Sequence, residues 1–179
     1  MILSRAPLRI TLGGGGTDLK SYYSQYGGFL IAAGIDRYCT ILVNRRFYDE
    51  IRLSYSEMEI VESVDQIKHR IFREALKMVD INKNIELHST ADVPSSSGLG
   101  SSSCFTVALM NALHAYKGEY NSKCKLAEEA RHIEINLLLS SAKIAPVIAC
   151  KILTRVMSSP DKNGNALMSA REKVTLCAV

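Results

Sequence analysis

Ten residues combine the small size, the hydroxyl groups and the backbone freedom that an anion cradle needs: Pro94-Ser95-Ser96-Ser97-Gly98-Leu99-Gly100-Ser101-Ser102-Ser103. Gly98 and Gly100 let the chain turn tightly and come close to a ligand, and the serines bring hydroxyls to the point where a helix would begin. A helix N-terminus carries N–H groups without intrahelical acceptors and a partial positive charge, so phosphate is its natural guest. The stretch holds no lysine and no Gly-Lys-Ser/Thr, which excludes a Walker A loop, and Ser103 stands where a dinucleotide fingerprint needs its third glycine. A flexible Ser/Gly-rich surface loop is the competing reading.

The flanks favour the cradle. Ile85-Glu86-Leu87-His88-Ser89-Thr90 alternates like a half-buried strand, and Phe105, Ala108, Leu109, Ala112, Leu113 and Tyr116 recur at helical spacing. Strand, glycine turn and helix in that order form a phosphate-binding layout. A second glycine cluster lies near the N-terminus, in Arg5-Ala6-Pro7-Leu8-Arg9-Ile10-Thr11-Leu12-Gly13-Gly14-Gly15-Gly16-Thr17-Asp18. Residues 2–12 suit a first strand, with Pro7 at an edge or a bulge because it cannot donate to a ladder. Gly13 to Gly16 then reads either as a plain linker or as a loop that presents the acceptor groups of Thr17-Asp18 to a ligand.

Taken together, the two glycine motifs resemble those of the GHMP kinase superfamily, which includes galactokinases and homoserine, mevalonate and phosphomevalonate kinases. Within it, the four glycines before Thr17-Asp18 are most similar to the D-glycero-D-manno-heptose 7-phosphate kinases of bacterial surface-polysaccharide pathways. The resemblance covers residues 1–135 and implies an α+β chain with the ribosomal protein S5 domain 2-like fold of the GHMP N-terminal half. It also implies an ATP-dependent sugar kinase that uses Mg²⁺ and moves the γ-phosphate to a hydroxyl of a phosphorylated heptose. A kinase for another sugar, such as fucose or galactose, and a catalytically impaired relative that only binds nucleotide or sugar are the alternatives.

Site roles carried over from the family fall on particular residues. Pro94, Ser96, Ser97, Gly98, Leu99, Gly100, Ser101, Ser102 and Ser103 would hold the ATP phosphates, with Ser102 as the metal ligand and its neighbours Ser101 and Ser103 as the alternatives. Glu134, in a His-Ile-Glu context, matches the acidic Mg²⁺ ligand, against the reading of an exposed helix glutamate. Arg9 matches the basic residue beside the transferred phosphoryl group, a role its permanent charge suits, against that of a structural ion pair. Gly15, Gly16, Thr17 and Asp18 match the sugar-binding loop, with a turn aspartate as the alternative for Asp18.

The remaining elements support these motifs. Tyr22, Tyr23 and Tyr26 fall on a short helical stretch, as sugar-stacking or packing residues. Phe29 to Ala33 reads as a short buried run, and Tyr38–Val43, Ile51–Tyr55 and Met58–Val61 as strands. Ser63-Val64-Asp65-Gln66 has capping-box form ahead of a helical face of Val64, Ile67, Ile71, Ala75 and Val79, with Lys68, Arg70, Arg73 and Lys77 on a solvated side. Lys117-Gly118 stops the helix after the phosphate loop, and Asn121-Ser122 opens another with Leu126, Ala130, Ile133 and Leu137 as its apolar stripe. His69, His88, His114 and His132 lack any nucleophile or metal pattern and read as structural or surface residues.

Composition narrows the partners. The chain has 179 residues, 47% hydrophobic and 22% charged, which suits one domain with a sizeable core. No apolar run reaches membrane-spanning length, and Arg5 and Arg9 interrupt any signal-peptide pattern. The odd, scattered cysteines Cys39, Cys104, Cys124, Cys150 and Cys177 read as reduced thiols of a cytoplasmic protein. Lys+Arg and Asp+Glu number 16 and 16 up to Ile135 but 6 and 2 from Asn136 onward, so the net charge of +4 gives the main body no basic stripe for nucleic acid.

The last segment reads differently. Residues 136–179 contain none of the chain's aromatic residues and one glycine, Gly164. Where the family carries an Asp-Gln segment after the metal-binding helix, the sequence has no aspartate before Asp161, which sits in a turn-like Ser-Pro-Asp-Lys-Asn-Gly. Residues 136–179 are therefore expected to be an atypical tail, from an interrupted reading frame or an unusual short form. The family's C-terminal domain is expected to be missing, leaving an interface that would favour self-association.

Overall fold

The computed structural model describes residues 1–17, 20–137, 155–158 and 175–178. Strand β1 (Ile2–Gly13) is followed by a short helix α1 (Lys20–Tyr26), a long strand β2 (Phe29–Arg45), and a hairpin of β3 (Ile51–Ser54) and β4 (Met58–Val61). Helix α2 (Arg70–Met78), strand β5 (Ile85–Ala91) and helices α3 (Ser101–Tyr116) and α4 (Lys123–Arg131) come next, then strands β6 (Arg155–Ser158) and β7 (Thr175–Ala178). The sheet runs β4-β3-β5-β2-β1-β6, with β7 paired to β2. All of its pairings are antiparallel except β3 with β5, whose connection crosses through α2. Strands and helices segregate as an α+β chain does.

The core lies between the sheet and the helices. Leu8, Ile41, Val43, Leu53, Ile85 and Leu87 from the strands meet Phe72, Leu76, Leu109 and Leu113 from α2 and α3. Each such side chain contributes about 1.5–3 kcal/mol when buried. Helix α3 is buried on more faces than its periodicity predicts: Thr106, Val107 and Met110 are covered as well as Ala108, Leu109, Ala112 and Leu113. The reason is that β1 and β2 cover one side while α2 and α4 pack on others, with Val107 against Ala130.

The first strand carries a phase change. Ser4, Ala6 and Leu8 face inward in ordinary alternation, yet Arg9, the next residue, is also buried at 3% exposure. The pairing with β2 shifts register between Pro7 and Arg9, and such a bulge swaps the faces of all residues beyond it. Pro7 thus sits at a bulge, and the bulge turns a charged side chain toward the helices.

Several local expectations are corrected. Phe29 to Val43 is one unbroken strand, not a short run and a separate strand, because its two ends find different partners: Phe29–Ala32 pairs with β7, and Cys39–Arg45 pairs with β5. Ser63 makes no capping bond. Val64–Gln66 forms only a 3₁₀ turn, and the helix starts at Arg70 with His69 as its cap, Nδ1 accepting from the Phe72 N–H at 3.4 Å. His69 therefore has a structural task, reinforced by ring contacts with Tyr55, Phe72 and Phe105. Ser122 does cap α4, accepting from the Lys125 N–H at 3.2 Å. The expected turn at Asp161 lies outside the described residues.

Candidate phosphate and metal site

The site is assembled where β1, the loop after β5 and the start of α3 meet. The loop uses the left-handed region three times, at Ser96 (φ 64°), Gly98 (φ 76°) and Gly100 (φ 73°). Gly100 has two reasons to be glycine, since a Cβ there would also stand 3.2 Å from Arg9 Cζ. The Arg9 N–H donates to the Leu99 carbonyl at 3.2 Å, which ties the strand to the loop, and the Arg9 guanidinium donates to the Thr11 hydroxyl. Pro94 to Ser97 are exposed to solvent.

Helix α3 begins at Ser101, and its first in-helix backbone bond runs from Cys104 N–H to Gly100 carbonyl at 3.1 Å. The serines of the first turn then face Glu134, far along the chain. Ser102 Oγ donates to Glu134 Oε1 at 2.8 Å and Ser103 Oγ donates to Oε2 at 3.0 Å. Thr106 Oγ1, one turn further on, lies 3.1 Å from Oε1. Glu134 is delivered by a π-helical turn, His132–Leu137, that continues α4. Such a widened turn rotates the side chains after it relative to an α-helix and is frequent at functional sites. Buried Leu126, Ala130 and Ile133 anchor the approach.

Electrostatics at Glu134 are a contest. Burial pushes its carboxyl above the usual range, while the Ser102, Ser103 and Thr106 hydroxyls and the Arg9 charge pull the other way without winning. A carboxylate held so has reason to accept a cation. Its donor set, one carboxylate and a solvent-facing hydroxyl, is all oxygen and suits a hard ion such as Mg²⁺ that keeps waters and phosphate oxygens as its other ligands. Among the described residues no group of three His, Cys, Asp or Glu side chains could hold a metal by itself.

The N-terminal glycine loop is internally braced. Gly14 (φ 78°) could not carry a side chain, because a Cβ would lie 1.9 Å from the Phe29 carbonyl oxygen. Thr17 Oγ1 lies 2.8 Å from both the Gly14 and Phe29 carbonyl oxygens and accepts from the Phe29 N–H at 3.1 Å. The hydroxyl thereby staples the loop to the start of β2. A Cβ at Gly15 would stand 3.5 Å from Thr11 Cγ2, so the loop passes beside the threonine whose hydroxyl accepts from Arg9. Asp18 lies outside the described residues.

The sequence motifs pointed to Ser102, Ser103, Glu134, Arg9 and the loop, and the fold brings these together around one helix N-terminus. Thr106 was missed; its signal was available, since it stands four residues after Ser102 and so shares its helix face.

This two-layer α+β arrangement, with its serine turn ahead of a buried helix, has counterparts. Residues 60–150 match the family model for the GHMP kinases N terminal domain. The chain belongs to the GHMP kinase family. It is 33% identical over 153 residues to a D-glycero-alpha-D-manno-heptose 7-phosphate kinase of Campylobacter jejuni, covering 76% of this chain and 45% of that protein. The chain therefore spans about half the length of the curated relative it matches. Solved structures with the same fold include a D-glycero-D-manno-heptose 1-phosphate kinase from Bacteroides thetaiotaomicron, with TM-score 0.73 and 23% identity over 88% of this chain and 56% of that one. Another is the Lactococcus lactis galactokinase complexed with galactose, with TM-score 0.66 and 19% identity over 87% of this chain and 46% of that one. No described helix is long and apolar enough to cross a membrane.

Proposed function

We propose that the chain forms the nucleotide- and sugar-binding half of an ATP-dependent sugar kinase whose acceptor is a hydroxyl of a phosphorylated heptose. The observation that carries this reading is the convergence of the Ser102 and Ser103 hydroxyls on Glu134 at the mouth of the glycine turn. Backbone N–H groups of the turn and of the first turn of α3 would grip the ATP phosphates. Ser102 and Glu134 would hold Mg²⁺, which when bound neutralises charge on the phosphates. Arg9, buried against Gly100, keeps a fixed positive charge beside them. The braced Gly14–Thr17 loop would lead Asp18 to the sugar. The heptose class rests on the four-glycine loop and on the likeness to the Campylobacter jejuni enzyme.

A second reading, nucleotide binding without turnover, is favoured by one feature: from Glu134 to Asp161 the sequence contains no aspartate to orient the acceptor. A coupled ATP assay against heptose 7-phosphate, galactose and mevalonate separates the two. The kinase reading expects turnover with the heptose phosphate that Asp18→Ala and Ser102→Ala abolish. Nucleotide binding with no turnover on any acceptor would establish the second reading instead.

A further inference from the structure

Thr106 is fully buried, at 0% exposure, in a place where a helix could carry any small apolar residue. Its hydroxyl has one proton and two acceptors: the Ser102 carbonyl at 3.0 Å and Glu134 Oε1 at 3.1 Å. Oε1 is also the atom to which Ser102 donates. One hydroxyl thus bridges the backbone of one proposed cation ligand and the carboxylate of the other. Being β-branched, threonine has few χ1 choices in a helix, and the bond to the carbonyl one turn back fixes the one used. Ser102 is exposed and can offer a lone pair outward, whereas Thr106 has no solvent face and can act only through Glu134.

Resting on the reading of Ser102 and Glu134 as the divalent-cation pair, we propose that Thr106 is a positioning residue that holds Glu134 Oε1 in register with Ser102. Its work is orientation. Without Oγ1 the carboxylate keeps only the two hydroxyls of the first turn, Ser102 on Oε1 and Ser103 on Oε2, and loses the donor on the inner side that sets its tilt toward the edge where the cation would bind. Partners of this kind, one layer outside the ligands, change metal affinity by about 10–100-fold when removed.

The test uses the full chain and Mn²⁺, followed by electron paramagnetic resonance in the presence and absence of a non-hydrolysable ATP analogue. Thr106→Val keeps the shape and removes the hydroxyl, and it is expected to weaken Mn²⁺ binding about tenfold or more. Thr106→Ser keeps the hydroxyl and is expected to stay within about threefold of the parent, while metal-free binding of the analogue is unchanged in both. If Thr106→Val does not fold, Thr106→Cys against Thr106→Ser makes the same comparison without the methyl group. Parent-like Mn²⁺ affinity in Thr106→Val, or equal losses in the Val and Ser variants, would overturn the proposal while Glu134→Gln still lost the ion. Unchanged Mn²⁺ affinity in Glu134→Gln would remove the cation reading itself, and the role of Thr106 with it.

Discussion

Glu59 and Glu134 are both drawn away from water, and they are treated in opposite ways. Glu59, on β4, sits at 7% exposure and accepts from the Lys68 N–H at 2.7 Å, the Tyr55 hydroxyl at 2.7 Å and the His69 N–H at 3.2 Å. Burial works against its ionisation, yet these donors together outweigh burial and hold its carboxyl below the usual range. Glu134 is half-buried and has three hydroxyl donors, but there burial prevails and the carboxyl is held above the usual range. Two of the three donors to Glu59 are backbone N–H groups fixed by the turn into α2, and a carboxylate satisfied in this way builds structure. Rotatable hydroxyls leave a carboxylate short of compensation, which a ligand can supply.

The difference can be broken by substitution, and the largest effect belongs to Glu134. On the kinase reading, Glu134→Gln should lower phosphotransfer by about 100–1,000-fold while leaving thermal stability equal or higher, since it removes a charge the fold holds at a cost. Kinetics and calorimetry on one preparation check both halves. Next comes Gly14→Ala, where a Cβ would meet a backbone oxygen that cannot step aside. A loss of about 2–4 kcal/mol is expected in urea unfolding. Gly98→Ala, with open space around its Cβ, should cost only the left-handed strain of about 1 kcal/mol.

Glu59→Gln inverts the Glu134 pattern: activity is kept, and stability falls by about 1–3 kcal/mol as three donors lose their anionic acceptor. The pH dependence carries the sign. A carboxyl whose folded pKa is depressed gives stability that is present above its unfolded pKa and lost as pH falls through the lower folded value. The gap between parent and Glu59→Gln should therefore be full at pH 7 and close below about pH 4. For Glu134, with its folded pKa raised, the favourable contribution is present in acid and disappears as pH rises through the folded value. The smallest effect is that of Thr17→Val, which removes the loop staple at about 1 kcal/mol and should be read as earlier proteolytic nicking of the glycine loop.

Much of this contrast was legible in the sequence on one side and hidden on the other. Ser102 and Glu134 were singled out because glycine and serine at a strand-to-helix turn suggest an anion cradle, and because the family resemblance pointed to the glutamate. Pro7 pointed to an edge or a bulge for a simple reason, the missing N–H, and the structure has the bulge. The consequence, that Arg9 is turned inward, needed the register against β2, which no local pattern carries. Glu59 was read merely as part of a strand, since its donors come from residues brought near by the turn into α2. His69 escaped for the same reason, because histidine is not a usual cap and only packing against Tyr55 and Phe105 selects it. Thr106 looked like one more small residue on a packed helix until Glu134 stood beside it.

In the proposed site, nucleotide phosphates and a divalent cation meet between the serine turn and Glu134. Titrating the ¹⁵N-labelled chain with a non-hydrolysable ATP analogue and Mg²⁺ tests it most directly. Amide shifts are expected to concentrate at residues 96–103, with Glu134 responding only when Mg²⁺ is added. Shifts confined to other parts of the sheet, or a Mg²⁺ response that persists unaltered in Glu134→Gln, would contradict it.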